Sequence, residues 1–311
     1  MMERRPTLSR RALLGGLAAT GAAVLLPSPA ARAQQGPILT RTIPSSGEKL
    51  PVVGLGSWIT FNVGDDVVSR DACTEVIRDF FAAGGGMIDS SPMYGSSQAV
   101  IGYGLAKLGM PSGLFSADKV WISSGARGPE QIEESRSLWG VPRFDLLQVH
   151  NLRAWEAHLE TLFAMKADGR LRYVGITTSD GRRHAEIEEV MASRPIDFVQ
   201  ATYNVVDREI ERRILPLAQE RGIAVIVNRP FQEGALIDEV ADHPLPDWAA
   251  EIGCANWAQF LLKFIVAHPA VTCAIPATSS VDHVRENMGA AYGILPDAAM
   301  RKRMIAYVEA L

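Results

Sequence analysis

The sequence predicts an α/β fold, specifically a (β/α)8 barrel. Three observations predict it. Strand-like and helix-like segments alternate along almost the whole chain after residue 33. The strand-like segments are dense in Val, Ile and Leu without polar alternation, as in a parallel sheet covered on both faces. No Gly-x-Gly-x-x-Gly opens a helix after a strand, which argues against an open dinucleotide-binding sheet. The Gly84-Gly85-Gly86 run precedes a strand, where it ends a helix and turns the chain. In such a barrel the active site lies at the C-terminal ends of the strands.

Residues 1–33 stand outside that pattern. Ser9-Arg10-Arg11-Ala12-Leu13-Leu14 leads into a Gly- and Ala-rich run and then Ala31-Arg32-Ala33, a small-x-small cleavage site. The run is too short to span a bilayer, and Pro27 and Pro29 follow it. The segment resembles a bacterial twin-arginine leader, which implies recognition by the twin-arginine export machinery, delivery to the periplasm already folded, and no stable membrane insertion after cleavage. The expected mature domain is 34–311.

The elements follow in order. Ile38–Ile43 and Leu50–Leu55 flank Ser45-Ser46-Gly47, a hairpin signal. Eight strands are expected at Val52–Leu55, Met87–Asp89, Val120–Ser123, Leu146–His150, Tyr173–Thr177, Phe198–Ala201, Ala224–Asn228 and Thr272–Ile275. Helices are expected at Ser69–Ala83, Ser96–Leu108, Ala154–Ala167, His184–Ala192 and Glu209–Arg221. Phe231–Pro246 reads as a longer loop at a strand end, a candidate substrate lid.

Charge and cysteine content exclude several classes. The 31 basic and 35 acidic residues give a net charge of −4. Loss of residues 1–33 removes five arginines and one glutamate, leaving 26 against 34, or −8. An acidic surface is a poor partner for nucleic acid. Cys73, Cys254 and Cys273 are widely spaced, with no Cys-x-x-Cys or Cys/His cluster, so no metal site or disulfide framework is expected.

Polar residues that end apolar strands carry the chemical signal. Asp89, then Tyr94 in the following loop, His150, and Asn228-Arg229 would converge on one barrel face. Trp58 and Phe61, after the first strand, suggest an aromatic wall for a substrate pocket.

Several stretches then resemble the aldo-keto reductase family. They are "VGLGSW", "GGGMIDSSPMYGSSQAVIGYGL", "FDLLQVHN", "MKADGRLRYVGITT", "VQATYN" and "AIPATSSVDHVRENMGAA", together with the hairpin, and they run in family order through residues 38–311. The resemblance implies hydride transfer between a nicotinamide cofactor, NADP(H) or NAD(H), and a small carbonyl or alcohol substrate. It implies Tyr94 as proton donor, Asp89 as holder of a lysine that lowers the tyrosine pKa, and His150 as the residue orienting the carbonyl. It also implies cofactor contacts at Thr177, Gln200, Asn228, Arg229, Thr278, His283, Glu286 and Asn287.

Aligned on Trp121-Ile122-Ser123-Ser124, the family lysine falls at Gly125, so the cation is expected to be missing, with Arg229 or Arg127 as substitutes. Thr177 and Thr178 stand where the family has Ser-Asn. The export signal implies a cofactor bound before export, since free NADPH is not expected outside the cytoplasm. Two functions follow: an exported oxidoreductase, or a non-catalytic barrel that binds a small polar ligand or a partner protein at the same mouth. The apparent loss of the lysine favours the second. The retained Asp89, Tyr94 and His150 favour the first.

Overall fold

A computed structural model describes residues 36–179 and 181–311. The expected leader lies outside the described residues. The chain from Pro37 onward forms one compact unit. An antiparallel hairpin, β1 (Thr40–Thr42) and β2 (Lys49–Pro51), comes first. Strand β3 (Leu55–Gly56), helix α1 (Val67–Ala82), β4 (Met87–Asp89), α2 (Ser97–Lys107), β5 (Phe115–Val120) and α3 (Gly128–Trp139) follow. Then come β6 (Phe144–His150), α4 (Trp155–Ala167), β7 (Leu171–Thr177), α5 (His184–Ser193), β8 (Phe198–Thr202), α6 (Ile214–Arg221) and β9 (Ala224–Asn228). The chain ends with α7 (Ala235–Val240), α8 (Trp257–Val266), β10 (Cys273–Ala274), α9 (Val281–Gly289) and α10 (Ala298–Val308).

Strands β3 to β10 pair in chain order, each parallel to the next. Parallel bridges from Val53 to Ala274 and from Gly56 to Ala277 join the first strand to the last and close the sheet into a barrel. Closure brings backbones close. A Cβ on Gly56 would stand 2.7 Å from the carbonyl oxygen of Ile275, so only glycine fits that seam.

The two-residue period of a strand sorts side chains into barrel interior and helix-facing layer. Phe115, Leu146, Tyr173, Phe198, Ala224 and Cys273 fill the interior with Ile43 and Leu50 of the hairpin, which plugs the N-terminal end. Tyr173 Oη lies 2.6 Å from Glu48 Oε2 and ties the plug to β7. One step further along the same inward-facing rows, the residues turn polar. That step is the C-terminal mouth.

Six of the eight expected strands lie within two residues of their expected bounds, and the first starts three residues late, at Leu55 rather than Val52. The third is displaced. It runs Phe115–Val120 rather than Val120–Ser123, because Ser116, Asp118 and Lys119 interrupt its apolar character. The segment expected as a loop at Phe231–Pro246 contains a 3-10 turn, Gln232–Gly234, and helix α7. The expected helix from Glu209 begins as a 3-10 turn and becomes α-helical only at Ile214.

Helices α2 and α3 meet at Gly102, where an added Cβ would stand 1.9 Å from the carbonyl oxygen of Leu138. Gly102→Ala in an isolated helix would gain roughly 1 kcal/mol. Here it is expected to lower the unfolding free energy by about 1–3 kcal/mol through overpacking. Denaturant melts check this; an unchanged or raised midpoint would refute the close α2–α3 contact.

Candidate active site

A cavity of ≈ 640 Å³ opens at the C-terminal ends of the strands, a size typical of small-molecule sites. Its wall includes Asp89 from the end of β4, His150 from the end of β6, Thr177 from β7, Gln200 from β8 and Asn228 from β9. Tyr94 comes from the turn between β4 and α2. The structure therefore brings Asp89, Tyr94, His150, Asn228 and Arg229, all singled out in the sequence, to one mouth. The rings of Tyr94 and His150 meet edge to face, centroids 5.8 Å apart.

The missing cation is a correction. Lys119 stands at the last inward-facing position of β5 and is 1% exposed. Its Nζ donates to Asp89 Oδ1 and, at 2.8 Å, to the carbonyl oxygen of Ser90. It also lies 5.1 Å from the Tyr94 ring centroid. Gly125 is not the lysine position. It sits beyond the strand in a 3-10 turn, where an added Cβ would meet Ala157 of α4 at 2.6 Å. The proposed substitutes do not take the role either. Arg127 is exposed and pairs with Glu130 at 3.0 Å, and Arg229 pairs with Glu233 on the cavity wall.

The second oxygen of Asp89 is also satisfied. Gln148 Nε2 donates to Oδ2 at 3.1 Å and Gln200 Nε2 at 3.0 Å. Thr177 Oγ1 donates to Gln200 Oε1 at 3.2 Å, and Asn228 Nδ2 donates to the carbonyl oxygen of Thr178 at 2.8 Å. The floor is thus a connected polar layer around one buried ion pair.

Burial shifts the titrations. It raises the Tyr94 pKa, while the charge and hydrogen bonding of Lys119 pull the other way. His150 is pushed well below its ordinary value by burial and by Lys119, so it is neutral at neutral pH. Burial works against charge on Lys119, yet Asp89, Tyr94 and Asp118 together outweigh it and raise its pKa.

The remaining expected cofactor contacts, Arg229, Thr278, His283, Glu286 and Asn287, also line the cavity. Thr178 is buried, and its Oγ1 has no partner among the described residues. Trp58 lines the cavity as expected. Phe61 does not: it is fully buried in the hydrophobic core, another correction. The cavity wall thus includes both the Tyr94–His150 pair and residues from the first turns of α9.

Sequence reasoning missed Lys119, Gln148, Asp118 and Ser91. The first had a readable signal: Phe115-x-Ala117-x-Lys119 is an inward row at strand spacing.

A closed parallel barrel with an Asp–Lys pair, a tyrosine and a histidine at its mouth defines a small-molecule enzyme site of the barrel class. The comparisons give the family. Residues 52–303 match the model of the aldo/keto reductase family, and the chain belongs to it. Methylglyoxal reductase YeaE of Escherichia coli (strain K12) is 27% identical over 256 residues, covering 79% of this chain and 88% of the relative. The NADH-specific methylglyoxal reductase of the same organism is 26% identical over 233 residues, covering 63% and 68%. An aldo/keto reductase from Klebsiella pneumoniae, solved with NADP and acetate, superposes with a TM-score of 0.72 at 22% identity, covering 87% of this chain and 96% of that one. The chain is an oxidoreductase of the NAD(P)(H)-dependent aldo-keto reductase type.

Asp118 faces the helices, wholly buried beside Lys119. Its carboxylate accepts from Gln98 Nε2 at 2.8 Å and from the Lys119 amide at 2.7 Å. Burial pushes its pKa up to about 7 from an ordinary 3.8. Between those values the folded chain holds a proton that the unfolded chain releases, so stability falls as pH rises through this window. Asp118→Asn keeps one acceptor for the Lys119 amide, and Gln98 can turn its amide to meet the new donor. The variant is expected to lose less stability between about pH 4 and pH 7, by at least about 1 kcal/mol. Unfolding midpoints measured across that range decide it; parallel curves for the two proteins would refute it.

Proposed function

We propose that the chain interconverts a small carbonyl compound and its alcohol, with Tyr94 as the proton donor and acceptor. The observation that carries this reading is Lys119, held by Asp89 beside the Tyr94 ring in a buried mouth. A phenol held protonated by burial needs a nearby cation to release its proton readily. Lys119 is that cation. Neutral His150 hydrogen-bonds and orients the carbonyl oxygen, and Asp89 holds Lys119 in place. The non-catalytic alternative rested chiefly on an absent lysine and loses that support.

The cofactor, a nicotinamide dinucleotide, supplies the hydride when bound. Thr177, Gln200 and Asn228 would hold its reactive ring, and Thr278, His283, Glu286 and Asn287 its far end. Arg229 is the one Lys or Arg residue on the wall among the described residues, and Glu233 engages it. Glu286 adds negative charge near the far end. This charge pattern supports NAD(H) over NADP(H), whose extra phosphate would have to compete with Glu233 for Arg229. Two relatives named as methylglyoxal reductases support a small carbonyl substrate. Trp58 with exposed Ile59 and Met93 gives the rim an apolar side suited to the substrate's carbon body.

We further propose periplasmic action after twin-arginine export with cofactor already bound. Cell fractionation that finds the chain only in the cytoplasm would end that part of the reading.

Tyr94→Phe is expected to lower kcat for aldehyde reduction by about 100-fold or more while NADH binding is retained. Fluorescence titration should show NADH binding at least about tenfold tighter than NADPH, one such factor being 1.4 kcal/mol. Full turnover in Tyr94→Phe removes Tyr94 from the chemistry. Tighter NADPH binding overturns the cofactor preference alone.

A further inference from the structure

Ser91 follows Asp89 by two residues, in the turn that carries Tyr94, and is fully buried. Its Oγ lies 2.7 Å from His150 Nδ1 and accepts the Met93 amide N–H at 3.2 Å. Its backbone carbonyl accepts the Tyr94 N–H at 3.0 Å. One serine therefore joins the Tyr94 turn to the histidine at the end of β6.

The direction of the Ser91–His150 bond follows from counting donors. A serine hydroxyl has one proton to give, and a neutral imidazole has one N–H and one acceptor nitrogen. His150 is neutral because burial, and then Lys119, hold its pKa well below the ordinary value. If Nδ1 carried the proton and donated to Ser91, the hydroxyl proton would be left without an acceptor. Oγ touches nothing else among the described residues but the Met93 N–H, which is itself a donor. A buried donor left unmade carries the full desolvation penalty. If Ser91 donates to Nδ1, both groups are satisfied: Oγ accepts from Met93 and gives to His150. The ring proton then sits on Nε2, which makes no bond to the described residues while the ring lines the cavity.

We propose that Ser91 is a positioning residue that fixes the tautomer of His150, so that Nε2–H faces the cavity as a hydrogen-bond donor. The partner it suits is a carbonyl or alkoxide oxygen held beside Tyr94. This use of the donor rests on the proposed function, but the tautomer itself does not. No bond forms or breaks at Ser91. It gives His150 one protonation pattern in advance, so the imidazole need not exchange protons before a substrate oxygen arrives.

The test has two arms that fail separately. In the first, the protein is labelled with 15N-histidine and the ring nitrogens are read by long-range 1H–15N correlation, with His150→Gln used to assign the signals. The wild type is expected to show the Nε2–H tautomer for His150, and Ser91→Ala a mixture or the Nδ1–H form. Wild type in the Nδ1–H form overturns the proposal, as does a Ser91→Ala spectrum identical to wild type. Should Ser91→Ala fail to fold, the wild-type spectrum alone still decides the direction of the bond.

In the second arm, Ser91→Ala is expected to lower kcat for aldehyde reduction by about tenfold with the affinity for NADH unchanged. Ser91→Thr, which keeps a hydroxyl, should recover most of that loss. A kcat equal to wild type in Ser91→Ala overturns the role. A wild type that reduces no carbonyl yet shows the expected tautomer upholds the Ser91 assignment and sinks the functional reading instead.

Discussion

The mouth of this barrel depends on one buried ion pair, Lys119 with Asp89. Taking two charges out of water is expensive, and their attraction repays it only where their remaining donors and acceptors are also satisfied. Here they are. Lys119 gives one proton to Asp89 and one to the Ser90 carbonyl, and its third side turns toward the Tyr94 ring. Asp89 accepts from Gln148 and Gln200 on its other oxygen. Removing either charge would leave the other buried and unpaired. The pair is therefore weak evidence for stability and strong evidence for specificity, because it tolerates one arrangement of β4, β5, β6 and β8.

That arrangement is a matter of strand register. Inward rows begin apolar at the plugged end, with Phe115, Leu146 and Phe198, and end polar at the mouth, with Lys119, His150 and Gln200. A slip of one residue in β5 would turn Lys119 toward the helices and bring Asp118 into the barrel beside Asp89. Two carboxylates would then face each other without a cation. Gly175 in β7 serves the same layer. A Cβ there would stand 3.0 Å from Gln148 Cγ and 2.9 Å from the Phe198 carbonyl oxygen. A bare backbone lets Gln148 reach across to Asp89.

Much of the fold was legible in the sequence, because parallel barrel strands are short apolar runs punctuated by helices. The polar ends of those runs gave Asp89, His150 and Asn228 by position, and the structure gathers them at one cavity. The third strand was misread because its sequence, FSADKV, is half polar, while the apolar Val120-Trp121-Ile122 at and just beyond its end drew the assignment forward. That displacement moved the expected lysine from Lys119 to Gly125. Apolar density is a poor guide where a strand carries charge on both faces, inward to a site and outward to Gln98 on α2. Helix α8, WAQFLLKFIV, was missed for the reverse reason: its second half, from Phe260 to Val266, is one continuous buried run, and a short apolar run does not distinguish helix from strand. Ser91 could not be read at all, since its meaning lies in a contact 59 residues away.

One cation acts on both groups that face a substrate, and in opposite senses. The positive charge of Lys119 makes it easier for Tyr94 to lose its proton, against the burial that retains it. The same charge makes it harder for His150 to gain a second proton, in line with the burial that already opposes one. A tyrosine whose burial-raised pKa is opposed by a cation and a histidine kept neutral form a complementary pair. In the proposed reaction, one exchanges a proton with an oxygen in the cavity, while the other only hydrogen-bonds it. The two groups differ because one ionises to an anion and the other to a cation, so a single fixed charge separates their roles. Identical burial without Lys119 would leave the rise in the Tyr94 pKa without that opposing charge. The division of labour at this mouth therefore comes from the placement of one amine at the end of β5.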